Sequence, residues 1–178
     1  MTKEFNPHTI SLIAGLGNPG DEYHDTLHNA GRLIVESILK THPRSAPKKS
    51  FECTKIGQYT FVLPSTFMND SGKAIHDALT YFKLPYDSLL VIHDDTDLPI
   101  GATKLQFGRG DAGHNGIKSI VNTLGTKEFW RFRVGIRKAE HEGKKREKAA
   151  SFVLSSIKKK EKNIIESEAE IVKKILFF

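Results

Sequence analysis

Four short segments hold the residue types that hydrolysis needs. Asn18 follows a glycine-rich turn, Asn69 precedes a helix, Asp94 closes a strand in the run His93-Asp94-Asp95-Thr96-Asp97, and His114-Asn115 opens another helix. Histidine titrates near pH ~6.5 and so can take a proton from water at neutral pH. A carboxylate bonded to the ring's other nitrogen fixes the tautomer and stabilises the imidazolium that forms. Carboxamides can hold peptide carbonyls and a developing oxyanion without adding net charge. A histidine and an aspartate acting on water is the chemistry these segments suggest. With eight histidines in the chain, residue types alone do not choose the base. Each segment also has a plainer role, since Asn and Asp cap helices and shape turns.

Other chemistries fit less well. Gly15-Leu16-Gly17-Asn18-Pro19-Gly20 and Gly108-Arg109-Gly110-Asp111-Ala112-Gly113 both match G-x-G-x-x-G. Dinucleotide binding needs a helix opening at the glycines and an acidic strand residue ~20 positions on. Asp21 to His28 does not read as a helix start, and Glu36 to Lys40 reads as helix rather than strand, so a dinucleotide-dependent oxidoreductase is disfavoured. The Asp94 to Asp97 cluster lacks the glycine and closing acid of an EF-hand, which leaves magnesium as a minor alternative. No H-E-x-x-H, Walker A or G-x-S-x-G pattern occurs. The single cysteine, Cys53, excludes a disulfide framework and reads as a buried, inert thiol in a strand.

The elements that must position these residues alternate between strand and helix. Ile10 to Leu16 reads as a buried strand stopped by glycines, and Asn29 to Lys40 as a helix with Ile34 and Ile38 on one face. Pro43 to Lys49 is loop-like. Phe51 to Ile56 and Tyr59 to Leu63 form a hairpin around Gly57-Gln58. Ser71 to Phe82 carries Ala74, Ile75, Ala78, Leu79 and Phe82 at helical spacing. Leu89 to Ile92 is a buried strand, Lys104 to Phe107 a shorter one, Asn115 to Leu124 a helix closed by Gly125, and Phe132 to Ile136 another strand. From about Ser155 an apolar stripe predicts a long C-terminal amphipathic helix. The fold class is α/β: a single domain over residues 1–178 with a mixed β-sheet flanked by α-helices.

The 178 residues, 38% hydrophobic and 27% charged, suit one soluble domain. No apolar run approaches the ~20 residues of a membrane span, and Met1 to Thr9 lacks a secretory signal, so a cytoplasmic protein is expected. Of the net charge of +6, most comes from the stretch after Ile136, in Lys144, Lys145, Arg146, Lys148, Lys158, Lys159, Lys160 and Lys162. Such a region suits a polyanion, through phosphate contacts and counterion release, or is simply a solvated face.

Six segments in order resemble one family, the bacterial peptidyl-tRNA hydrolases: Gly15 to Gly20; Tyr23 with Thr26-Leu27-His28-Asn29-Ala30-Gly31; Thr66 to Gly72; His93 to Gly101; Gly113-His114-Asn115-Gly116; and Arg131 to Ile136. The resemblance implies a monomeric enzyme that cleaves the ester joining a peptide to tRNA, with no metal, no organic cofactor, no membrane association and no obligate protein partner. It implies that His28 is the general base and that Asp94 polarises it. Asn69 and Asn115 would bind the peptide and ester end, Tyr23 and Phe67 the end of the tRNA, and Asn18 would distinguish a blocked peptidyl group from a free aminoacyl one. Met68 and His114 would flank the cleft, and Lys104 and Arg133 would contact phosphates. Leu27 and Gln106 stand where the family usually has basic residues, and the loss at Gln106 shifts the expected phosphate contact to Arg109. The rival reading is a non-catalytic RNA-binding protein, separated from the enzyme by whether free tRNA is released from N-acetyl-aminoacyl-tRNA.

Overall fold

The computed structural model describes residues 3–40, 44–45, 50–138 and 152–178. Its frame is one seven-stranded sheet in the order β2-β3-β4-β1-β5-β7-β6. The strands are β1 (Leu12–Gly15), β2 (Arg44–Ser45), β3 (Phe51–Ile56), β4 (Tyr59–Pro64), β5 (Leu89–Pro99), β6 (Thr103–Phe107) and β7 (Trp130–Arg137). The central strands β4, β1, β5 and β7 run parallel, while β2, β3 and β6 are antiparallel to their neighbours. The expected mixed sheet is therefore present.

Apolar side chains alternate between the two faces of the sheet, and helices cover both. On one face Ile13, Leu90 and Ile92 pack with Leu33, Ile34 and Ile38 of α2 (Ala30–Leu39) and with the C-terminal Ile165 and Val172. On the other, Leu12, Ala14 and Val91 pack with α3 (Ser71–Phe82) and α4 (Asn115–Leu124) through Ile75, Leu79, Ile117 and Ile120. The C-terminal helix is two nine-residue segments, α5 (Lys159–Ser167) and α6 (Ala169–Phe177), which meet at Glu168. Burial at this joint pushes the Glu168 carboxyl up to about 8.

Several expectations need correction. Asp21–His24 forms a one-turn helix, α1, after Gly20 (φ 105°). The strand expected to stop at Ile92 runs on to Pro99, because β7 supplies partners beyond it: His93 with Arg133, Asp94 with Val134, Asp95 with Gly135. Asp94 therefore lies inside a paired strand and does not end one. Arg44–Ser45, expected in a loop, pairs with β3, and Cys53 is half-buried, with burial raising its thiol pKa. Lys144, Lys145, Arg146 and Lys148 lie outside the described residues.

Candidate active site

The turn carrying His28 is fastened from both sides. Asp25, Thr26, Leu27 and His28 precede α2, and the segment after residue 152 straps them. The His28 N–H donates to the Val153 carbonyl (2.8 Å), the Leu27 N–H to Ser155, and the Ile157 N–H to Asp25. Leu27 is wholly buried in the core, so a leucine here serves packing. α2 then begins against β5 so closely that a Cβ on Gly31 would lie 2.2 Å from the Ile92 carbonyl oxygen. That approach, open only to glycine, brings the turn beside the strand that holds Asp94.

His28 Nδ1 lies 2.9 Å from each carboxylate oxygen of Asp94. His114 Nε2 lies 2.8 Å from Asp94 Oδ1, while His114 Nδ1 accepts the Ile117 N–H at the start of α4. The second bond decides the tautomer. A ring whose Nδ1 is an acceptor carries its proton on Nε2, so His114 donates to Asp94 and caps its helix at once. Asp94 thus receives two ring N–H groups, and His28 keeps an Nε2 lone pair with no protein partner among the described residues.

The electrostatics follow. Asp94 is 1% exposed; burial alone would raise its pKa, but the two imidazoles hold it well below the usual carboxylate range. Burial pulls His28 down, and the Asp94 charge and hydrogen bond outweigh this, so the His28 pKa is raised above 6.5. His93 is neutral: burial, then His114, press its pKa well down, and its Nδ1–H donates to the Asp94 carbonyl (2.7 Å).

His28, Asp94 and His114 are also a possible set of metal ligands. Ligation through His114 Nε2 would force that ring's proton to Nδ1, against the Ile117 N–H. The donor set fits a hydrogen-bonded triad better than a cation site. The acidic run is no freer for magnesium. Asp95 Oδ2 accepts Arg133 Nε (2.5 Å) and its Oδ1 the Asp97 N–H (2.8 Å).

These groups line a cleft of about 210 Å³. One wall is the odd-numbered face of β5 and β7, with His93, Asp95, Arg131 and Arg133, and the other is the 109–115 segment with Asn115. Asn18 stands to the side. Its backbone is clamped by Asn29, N–H to Oδ1 at 2.8 Å and C=O to Nδ2 at 3.0 Å, and its own Oδ1 accepts the Met68 N–H (2.8 Å). Met68 is buried against Gly116, at whose position a Cβ would fall 2.5 Å from the sulfur. Tyr23 and Phe67 meet edge to face at 6.0 Å, with Phe67 51% exposed. Asn69 is exposed in the neighbouring 3-10 turn and is not among the residues lining the cleft.

The basic candidates separate. Lys104 and Arg109 are exposed. Arg133, expected on a phosphate, is 5% exposed and turned inward, Nε on Asp95 and Nη1 on Gln106. Lys162 pairs with Asp25 (2.6 Å) and so helps strap the His28 turn. Sequence reasoning missed Asn29, Val153 and Asp95, whose parts depend on contacts distant along the chain.

The family profile described as peptidyl-tRNA hydrolase matches residues 12–177. The chain belongs to the peptidyl-tRNA hydrolase family. It is 41% identical to the peptidyl-tRNA hydrolase of Aliarcobacter butzleri over 87% of this chain and 84% of that one. It is 38% identical to that of Lactobacillus gasseri over 94% and 91%. The crystal structure of the Acinetobacter baumannii peptidyl-tRNA hydrolase superposes with a TM-score of 0.81 at 30% identity, covering 94% of this chain and 87% of that one. The reaction is accordingly hydrolysis of peptidyl-tRNA. Among the described residues no helix is long and apolar enough to cross a membrane.

Proposed function

We propose that His28 is the base of this hydrolysis and Asp94 the residue that orients it. The carrying observation is the buried Nδ1 contact of His28 with both Asp94 oxygens, 2.9 Å each, at the wall of the cleft. His28 Nε2 takes a proton from water as the oxygen attacks the ester carbonyl. The imidazolium, stabilised by Asp94, then gives that proton to the departing ribose oxygen. His114 is a positioning residue, holding the carboxylate against rotation. The carboxamide of Asn115 at the cleft and that of Asn69 on the adjoining turn receive the ester oxygen and the peptide.

The Tyr23–Phe67 pair offers an aromatic platform for the terminal base. Asn18, with Oδ1 committed to Met68, presents its amide nitrogen to the acyl group. Lys104 and Arg109 are open to phosphates, while Arg133 acts through its ion pair with Asp95. The protein works as one domain and a monomer in the cytoplasm, without a cofactor.

Release of free tRNA from N-acetyl-aminoacyl-tRNA is the test. The wild type releases it, and His28→Ala loses at least about a hundredfold in kcat with tRNA affinity retained. Wild-type turnover by His28→Ala would remove the base from this position.

A further inference from the structure

The mechanism leaves one cation of the cleft unused. Arg131 is 2% exposed, wholly within the protein, and lines the same cleft as His28. Its Nη1 donates to the Gly110 carbonyl (2.9 Å), yet Nε and Nη2 are buried with no hydrogen-bond partner among the described residues. No ion pair to its guanidinium occurs among the described residues. The contrast with Arg133, two residues on, is sharp: that side chain is matched by Asp95 and Gln106.

The two unpartnered groups are not a random pair. Nε–H and Nη2–H form the side edge of the guanidinium, two parallel donors spaced to meet two oxygens of one phosphate or carboxylate. Burial, then Arg133 and Arg109, press the Arg131 pKa down to about 10 and outweigh the more distant Asp111 and Asp95 carboxylates, so the group is still charged at neutral pH with no carboxylate among the described residues bound to it. What covers it is the 108–113 loop. Gly108 (φ 66°), Ala112 (φ 53°) and Gly113 (φ 82°) are left-handed, and side-chain positions at Gly108, Gly110 and Gly113 face open space. Among the described residues the loop is tied to the sheet by two hydrogen bonds, Gly108 N–H to the Phe129 carbonyl (3.3 Å) and Arg131 to the Gly110 carbonyl, so its tip can shift once the second is given up.

We propose that Arg131 is a phosphate-binding residue of the cleft, its open Nε/Nη2 edge taking two oxygens of the 5′-phosphate of the tRNA's 3′-terminal nucleotide when the Gly110 loop moves aside. That phosphate sits on the same nucleotide as the scissile ester, so a cleft that holds the ester at His28 has the phosphate within its reach. The proposal rests on that placement of the ester.

The test compares two small esters, N-acetyl-aminoacyl-adenosine, which has no phosphate, and the same ester of cytidylyl-adenosine, which has one. The wild type prefers the phosphate-bearing ester in kcat/KM. Arg131→Gln, which can still donate to Gly110, lowers turnover of that ester about tenfold to a hundredfold more than turnover of the adenosine ester. Arg131→Lys restores part of the difference. Equal losses on both esters, or no loss on either, overturn the proposal. Should the variants not fold, the wild type decides: titration with adenosine 5′-phosphate shifts the Arg131 Nε–H resonance on binding, and saturation without a shift refutes the assignment. Absence of wild-type turnover on both esters, by contrast, counts against the ester at His28 and not against Arg131.

Discussion

Two regions of the cleft are built on opposite plans. In the triad of His28, Asp94 and His114, both Nδ1 atoms and the His114 Nε2 have partners, at 2.8 to 3.2 Å. Around Arg131 and the 108–113 loop, two buried donors have no partner among the described residues, and three residues of the loop hold left-handed backbone. Chemistry needs groups fixed before the substrate arrives, because reorganisation during the reaction adds to the barrier. Binding a long polyanion tolerates, and gains from, donors that the substrate itself satisfies. On the proposed roles, this difference separates the part that reacts from the part that grips.

The comparison can be broken at several points. The largest effect is expected at Asp94. Asp94→Asn removes the charge that raises the His28 pKa and leaves burial, which lowers it. The rate should fall about a hundredfold or more, and the acid limb of the kcat/KM profile, expected above pH 6.5 in the wild type from the raised His28 pKa, should move to lower pH. A slower enzyme with an unmoved limb would show Asp94 to be a structural cap.

A smaller loss, about tenfold, is expected for His114→Asn. Asparagine preserves the cap of α4 while removing the donor to Asp94, so thermal stability should stay near the wild type as kcat falls. Equal falls in both would show that His114 serves only its helix.

The least effect belongs to the loop region. The Cβ of Gly110→Ala would meet nothing within 4 Å, and the φ of Gly110 is not left-handed. The change should stabilise the protein by about 0.4–1 kcal/mol in denaturant unfolding, by restricting the unfolded chain. Destabilisation would mean that the loop is as tightly built as the triad.

Local patterns made much of the frame legible. Apolar periodicity placed α3 at its observed bounds, Ser71–Phe82, and Gly125 at the left-handed cap of α4. It failed where pairing extends beyond apolar residues. β5 continues through His93-Asp94-Asp95 because β7 offers it hydrogen bonds, which hydropathy does not register. Nor could it register the Arg133–Asp95 ion pair beside the phosphate contact that the resemblance implied for Arg133, because strand register made Asp95 its neighbour.

By itself the sequence determined which residues are available for the chemistry: an imidazole, a carboxylate and several carboxamides, in segments whose order resembles one hydrolase family. Tertiary structure decided how they are used. His28 and Asp94 are 66 positions apart in the chain and share a proton only because Gly31 lets a helix approach β5. The tautomer of His114 is set by the helix that it caps, and the solitude of Arg131 by a loop laid over it. Spacing along a chain carries information over a turn or two of backbone. Which charges meet, and which stay unmatched, depends on packing across the whole fold.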